Sequence, residues 1–378
     1  MTAGATNSLV DVAGLRVGHA QRVGDGYRTG TTVVLAPPGG MVAGVDVRGA
    51  APGTRETELL DPRNLVERVH AIVLTGGSAY GLSAACGVME RLADAGIGFP
   101  VEGGVVPIVP AAVIYDLGRG GLFRAVPDGR LGAEAYDAAV RSHGPDLRAS
   151  GPDGADLRAS GPDGPDPWVS GSVGAGTGAV AGGLAGGIGT ASVVLPSGVT
   201  VAAMAVVNAV GSVLDPAGGR LSGTRYGLPG EFDHLREPRE EEVAAWRGAM
   251  VTSFNTTIGV VATDLTLTKA QCGKLAGVAH DGLARAIRPA HTMVDGDTIF
   301  GLSTCARPFP HPAPEGAAGS TPEPVGAGRN APGAAGLHDV LAAGADVFSR
   351  AVAHAMLAAT GRDGAPAYRD VFPSAWGN

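Results

Sequence analysis

Ser253-Phe254-Asn255-Thr256-Thr257-Ile258-Gly259-Val260-Val261-Ala262-Thr263-Asp264 is the stretch from which the rest of the chain can be read. Its β-branched run, Thr256 to Thr263, predicts a buried strand, and 250–255 reads as the irregular end of a helical segment. Thr256 thereby falls at the strand's first position. A threonine hydroxyl attacks poorly until a base takes its proton, and the base can be the residue's own α-amine once the preceding peptide bond is cut. Such an amine has a pKa of roughly 7.7 to 8, near working pH, so one residue would supply nucleophile and base together. The cut would be an attack by the Thr256 hydroxyl on the carbonyl of Asn255, giving an ester that water opens. The same two threonines also suit the plain opening of a strand.

Downstream, His291-Thr292-Met293-Val294-Asp295-Gly296-Asp297-Thr298-Ile299-Phe300 sets two carboxylates around a glycine. A calcium loop needs further ligand positions that this string lacks. A pair that orients Thr256 and shares protons with its amine fits better. Together with Asn255-Thr256-Thr257-Ile258 and Val261-Ala262-Thr263-Asp264, the string resembles the self-cleaving L-aminopeptidase/D-esterase family, which includes β-peptidyl aminopeptidases and hydrolases of 6-aminohexanoate (nylon) oligomers. The Asn-Thr-Thr and Asp-Gly-Asp-Thr strings are most similar to the nylon-oligomer branch. The similarity runs from about Leu9 to Thr304 and again through the last helix.

That resemblance implies an α/β fold of stacked β-sheets sandwiched between helical layers, an αββα order shared with the ornithine acetyltransferases. It implies one hydrolase domain, cut into an α chain, 1–255, and a β chain, 256–378. Thr256 is then the nucleophile, Asp295 and Asp297 orient and polarise it, Asn208 holds the oxyanion through its amide, and Tyr115 contacts substrate. Amide bonds are hydrolysed through an acyl-enzyme, with no cofactor and no metal. Two other activities stay open: acyl transfer of the ornithine acetyltransferase type, and an idle small-molecule-binding relative. One departure bears on the second, because many members carry a lysine before a Gly-Gly pair where this chain has Ala185 before Gly186-Gly187. Its absence bears on substrate range and rate and leaves the nucleophile in place.

Composition agrees with layers. With 62 glycines and 4% aromatic residues, the core must be filled by Val, Ala, Leu and Ile with backbones in close contact. A net charge of -8, with lysine confined to Lys269 and Lys274, argues against a nucleic-acid or anionic-membrane partner and for a small molecule, which the resemblance narrows to a short peptide or oligoamide. Relatives assemble as tetramers or larger, so a homo-oligomer is expected by resemblance. Cys86, Cys272 and Cys305 have no paired spacing, which signals neither a disulfide framework nor a zinc site. The first residues lack a basic start and an apolar run, so a cytoplasmic protein is expected. The uncharged stretch 169–214 is broken by glycine pairs and the Pro196-Ser197-Gly198 turn, and reads as strands rather than a membrane span.

In chain order, strands are expected at Leu9–Val17, Thr31–Leu35 and Met41–Val47, then a helix opening at Asp61-Pro62. The charges between Val45 and Thr57 read as a solvated loop, although similar strings lie near the active face in the family. Strand Ala71–Leu74 runs through Thr75–Gly81 into a helix to about Ala95. That glycine loop lacks both the dinucleotide fingerprint spacing and the P-loop lysine, leaving tight packing or substrate lining. A strand region follows at Val105–Tyr115, then a hairpin-like pair, Val193–Leu195 and Val199–Val207, ended by Asn208, ordinarily a turn former. Helices are expected at Arg239–Met250, Thr268–Ile287 and Leu337–Thr360. Two insertions interrupt this order: 144–166, where DLRASGPDG occurs twice, and the Pro, Ala and Gly-rich 308–336.

Overall fold

The structure is a computed structural model that describes residues 1–142, 169–246, 254–309 and 332–376, with 332–335 as backbone only. The expected insertion 144–166 lies outside the described residues, as does 310–331 of the second. In chain order the strands are β1 (Arg16–Gly24), β2 (Tyr27–Leu35), β3 (Val42–Val47), β4 (Thr54–Arg55), β5 (Ala71–Thr75), β6 (Phe99–Val101), β7 (Gly104–Val106) and β8 (Ala111–Val113). The later ones are β9 (Val180–Ala181), β10 (Leu184–Ala185), β11 (Gly187–Val194), β12 (Thr200–Val207), β13 (Ile258–Leu265) and β14 (Thr298–Arg307). Helices are α1 (Ser78–Gly81), α2 (Ala84–Asp94), α3 (Gly129–Arg141), α4 (Glu240–Ala245), α5 (Lys269–Ala286), α6 (Pro332–Ala358) and α7 (Tyr368–Val371).

Two mixed sheets result, ordered β1-β2-β5-β8-β4 and β11-β12-β13-β14-β3. Their central strands are buried on both faces, and alternate side chains go to different cores. From β12 and β13, Ala202, Met204, Val206, Ile258, Val260 and Ala262 enter the layer between the sheets, where they meet Val34, Ile72, Leu74 and Ile114. Their neighbours Val201, Ala203, Ala205, Val207 and Val261 face the other way, onto Leu275, Leu283, Val347 and Phe348 of α5 and α6. On the far side Val33, Leu35 and Val73 pack against Val88, Leu92 and Ala135 of α2 and α3. The layers therefore run helix, sheet, sheet, helix, the αββα order expected. Glycine lets these layers touch: a Cβ on Gly282 would lie 2.9 Å from the carbonyl carbon of Ala345 across the α5–α6 contact. Helix α6 is long and apolar enough to cross a membrane by composition, yet Val340, Val347, Phe348 and Ala351 are buried inside the protein.

Several local expectations are corrected. Leu9–Asp11 is a 3-10 turn and the strand starts only at Arg16, because the Asp11 carboxylate gathers the Thr6 and Ser8 amides and the Ser192 hydroxyl and so bends the chain. No helix opens at Asp61-Pro62, since the Asp61 carboxylate is taken by the backbone and guanidinium of Arg63 and the following Leu65 has no core to meet, being 81% exposed. Val105–Tyr115 is two short strands, β7 and β8, paired in different sheets. Helix α6 begins at Pro332, inside the segment expected to be low-complexity insertion. Helix α4 ends at Ala245, short of Met250, and 247–253 lie outside the described residues. Strand β13 starts at Ile258, so Thr256 stands two residues ahead of the strand rather than at its head.

Candidate active site

Thr256 is placed by what flanks it. Its peptide N–H donates to the Asn208 carbonyl at 2.6 Å, where β12 ends, and next to it Thr257 N–H donates to Asp297 Oδ1 at 2.7 Å. Asn255 N–H donates to the Val294 carbonyl at 3.3 Å, so the Asp295 turn runs alongside the Asn255–Thr256 bond. Thr256 is 5% exposed and lines a cavity of about 290 Å³ with Ala51, Gly53, Ser78, Val113, Tyr115 and Phe254. Gly296 must be glycine here, because a Cβ would lie 2.8 Å from Thr256 Oγ1 and 2.6 Å from the Ala51 carbonyl oxygen.

Of the two aspartates, the side chain of Asp297 reaches a neighbour of Thr256 and that of Asp295 stays within its own turn. Asp297 spends one oxygen on Thr257 and the other on His291, from its backbone N–H at 3.0 Å and from Nδ1 at 2.8 Å. Asp295 Oδ2 accepts from the backbone N–H and hydroxyl of Thr292, at 2.9 and 2.6 Å, closing the turn. Among the described residues no hydrogen bond joins either carboxylate to the Thr256 hydroxyl in this uncut chain. Both are buried; Asp297 bonds the residue after Thr256, whereas the Asp295 carboxylate closes the turn whose backbone pairs with Asn255.

Asn208 is fully buried and its amide orientation is fixed by chemistry. Oδ1 accepts from the Val180 N–H at 3.0 Å and from Arg119 Nη1, both obligate donors, which forces the amide nitrogen to the other side, where it donates to the Tyr115 carbonyl at 3.2 Å. One amide hydrogen has no protein acceptor among the described residues. Tyr115 stands in the cavity wall, its ring 6.1 Å from that of Phe254.

Sequence reading missed Arg119, His291 and Ser78. Arg119 Nη2 donates to Asn255 Oδ1 at 2.7 Å while Nη1 also donates to the Gly178 carbonyl at 2.7 Å, so one guanidinium ties Asn208 to the residue before Thr256. Burial lowers its pKa, and burial likewise raises that of Asp116, whose Oδ1 accepts the Gly77 N–H at 2.6 Å and holds the glycine loop in place. Ser78 occupies the left-handed region at φ 51, and of the Thr75–Gly81 loop it is the residue that lines the cavity. The signal for Arg119 was present, a charge between Gly118 and Gly120 just after Tyr115. Of the charged segment before Thr57, Ala51 and Gly53 reach the cavity, whereas Arg48 bonds Asp46 and the Gly277 carbonyl and Glu56 bonds the Val109 amide. Ala185 packs against Ala359 and Ala365, and its N–H donates to the Pro366 carbonyl.

Comparison with known proteins agrees with this architecture. An uncharacterized aminopeptidase of Mycobacterium bovis is 47% identical over 98% of this chain and 100% of its own length. A 6-aminohexanoate-oligomer endohydrolase of a Kocuria species is 31% identical over 78% of this chain and 74% of its own. Among solved structures, a β-aminopeptidase of a Burkholderia species superposes with a TM-score of 0.65 at 22% identity, covering 100% of this chain and 96% of that one. The L-aminopeptidase D-Ala-esterase/amidase of Ochrobactrum anthropi, described as a variant of the Ntn hydrolase fold, gives 0.62 at 19% identity over 99% and 95%. The family description of peptidase family S58 matches residues 7–368, nearly the whole described molecule, and the chain belongs to that family.

Proposed function

We propose that the chain is an autoprocessing amide hydrolase with Thr256 as its N-terminal nucleophile, acting on short peptides or 6-aminohexanoate-type oligoamides. The observation that carries this reading is the setting of Thr256, a nearly buried hydroxyl lining a cavity, with its peptide nitrogen held on the Asn208 carbonyl. In the cut, Thr256 Oγ1 bonds to the Asn255 carbonyl carbon, the C–N bond breaks, and the nitrogen leaves as the amine carrying the hydroxyl's proton. Water then opens the ester, freeing the hydroxyl and the Asn255 carboxylate. The new amine keeps its acceptor on Asn208 and now serves as base. Substrate repeats the sequence: the amine takes the hydroxyl proton, Oγ1 acylates, the leaving amine departs with that proton, and water releases the acid. The unpaired amide hydrogen of Asn208 is the donor for the oxyanion, a contribution worth about 3 kcal/mol where such donors are preorganised. Asp297 acts by fixing Thr257, Asp295 by closing the turn that pairs with Asn255, and Tyr115 by lining the substrate cavity.

The test is intact mass and N-terminal sequencing of purified protein. Two fragments, the second starting at Thr256, are expected, with Thr256→Ala remaining a single inactive chain and Thr257→Ala still cut. A second fragment starting at Thr257, or an active uncut chain, refutes the mechanism. Assays with ornithine as acyl acceptor distinguish hydrolysis from acyl transfer.

A further inference from the structure

We propose that Arg119 selects the acyl half of the substrate, favouring acyl groups with a second carbonyl two carbons from the reacting one. The inference rests on Thr256 being the nucleophile. In the self-cut the acyl group is Asn255 itself, so the Asn255 side chain marks where the acyl part of any later substrate lies. That side chain is a carbonyl two carbons from the scissile one, and Arg119 Nη2 donates to its Oδ1 at 2.7 Å.

The two ends of the guanidinium fare differently after the cut. Nη1 keeps its acceptors, Asn208 Oδ1 and the Gly178 carbonyl, because both sit in the body of the protein. Nη2 has Asn255 alone among the described residues, and loses it when the new carboxy terminus withdraws to admit substrate. Phe254, next to that terminus and 53% exposed, lies on the solvent side of the cavity. What remains is a half-buried charged donor facing the place that the Asn255 side chain held. Leaving such a donor unpaired weakens a complex by about 5- to 100-fold relative to one that supplies an oxygen. A carboxamide, ester or carboxylate at the Asn255 spacing supplies it and a branched hydrocarbon does not. An ammonium group at that one position, as distinct from the α-amine of an N-terminal residue, is repelled, the more so because Arg362, which donates to the Gly178 and Ala179 carbonyls, adds a second cation beside Arg119.

Three p-nitroanilides of equal reach decide the matter: 3-carbamoylpropanoyl, its isostere 4-methylpentanoyl, and 4-aminobutanoyl. On the processed protein, kcat/KM for the carbamoyl compound is expected to exceed that of the methyl isostere about 10- to 100-fold and that of the amino compound by more. In Arg119→Met the first ratio should fall to within about threefold, a change in preference that a merely structural role would not produce. Should Arg119→Met fail to fold or to be cut, self-cleavage gives the second reading. Asn255→Leu removes the acceptor from the other side and should slow processing by a factor similar to that ratio. Equal kcat/KM for the carbamoyl and methyl compounds, or wild-type processing in Asn255→Leu, overturns the role of Arg119 alone. An uncut chain that hydrolyses none of the three overturns the nucleophile as well.

Discussion

Asp297 carries three hydrogen bonds on two oxygens, from Thr257, the His291 backbone and His291 Nδ1, all of them donors. Asp297→Asn turns an NH2 toward one of these donors, which costs about 1–3 kcal/mol locally and frees the segment that positions Thr256. Turnover is expected to fall by on the order of 100-fold or more with the fold retained. Asp295→Asn should be milder because its bonds stay within one turn. Near-normal kinetics in both variants, with unchanged circular dichroism, would remove the carboxylates from the mechanism. A second titratable group lies behind His291: His280, its ring 4.8 Å away, is buried and its pKa is lowered from 6.5 to about 4. Burial is the main cause, ahead of the hydrogen bond to the Asp46 carbonyl, which works the other way. With the folded pKa below the unfolded one, the unfolded chain binds this proton first as pH falls. Stability is whole above pH 6.5 and declines progressively toward pH 4, by up to about 3 kcal/mol from this site. Replacing His280 with Gln should flatten that part of a denaturant-midpoint against pH curve, and an unaltered slope would assign the loss elsewhere. Thr256, Asn208 and Tyr115 entered as candidates through the resemblance to the self-cleaving family, because taken alone they read as a strand opening, a turn former and a packed ring at a strand end. Arg119 was not legible, since its partners lie 89 and 136 positions away and no local period points to them.

Elements were read well where two faces are buried and poorly where a single side chain redirects the backbone. Helix α5 followed its signals, with Thr268 and Gln271 forming the capping box and Ile287 ending it before Pro289. At Asp61 the same capping chemistry is present and Leu65, Val66 and Val69 follow at helical spacing, but Leu65 stays 81% exposed, so cap and pattern without a face to bury made no helix. Close helix packing yields its own test. Gly282→Leu drives a side chain into the Ala345 backbone and should lower stability by about 1–3 kcal/mol or more, read as a drop in melting temperature. Gly273→Ala, on the same helix with open space where its Cβ would lie, should be tolerated. Equal effects at both positions would mean that the α5–α6 contact is looser than described. Deletion of 144–166 should leave processing and activity intact, since its repeats lack the apolar residues to make a core of their own. A deletion variant that fails to fold would give the repeats a packed role.

In the complete molecule, the fragments on either side of the proposed cut do not form separate bodies. Strands β13 and β14, after Thr256, lie between β12 and β3, both before it, and α5 and α6 cover the same sheet from outside. Once cut, the two pieces should co-elute under native conditions and separate only in denaturant, and residues 1–255 expressed alone should not fold. Independent elution of the pieces would contradict the sheet order. The layered architecture came from the family resemblance, with which the many glycines and few aromatic residues agree. Which sheet took β3 was not legible, because its partner β14 is more than 250 positions downstream and nothing local to 42–47 names it.

That interleaved sheet gives the molecule a history. Before the cut, one chain holds every strand it needs, and unfolding can be reversed by the same route. After it, the central pair belongs to a piece with no covalent tie to its neighbours, and melting sends the two pieces apart into solutions where reunion is bimolecular and competes with aggregation. The proposed processing would thus convert a balance between states into a clock. The uncut Thr256→Ala chain should return after heating and the mature protein should not, and the working life of the mature form is then decided by how fast it opens, not by how stable it is.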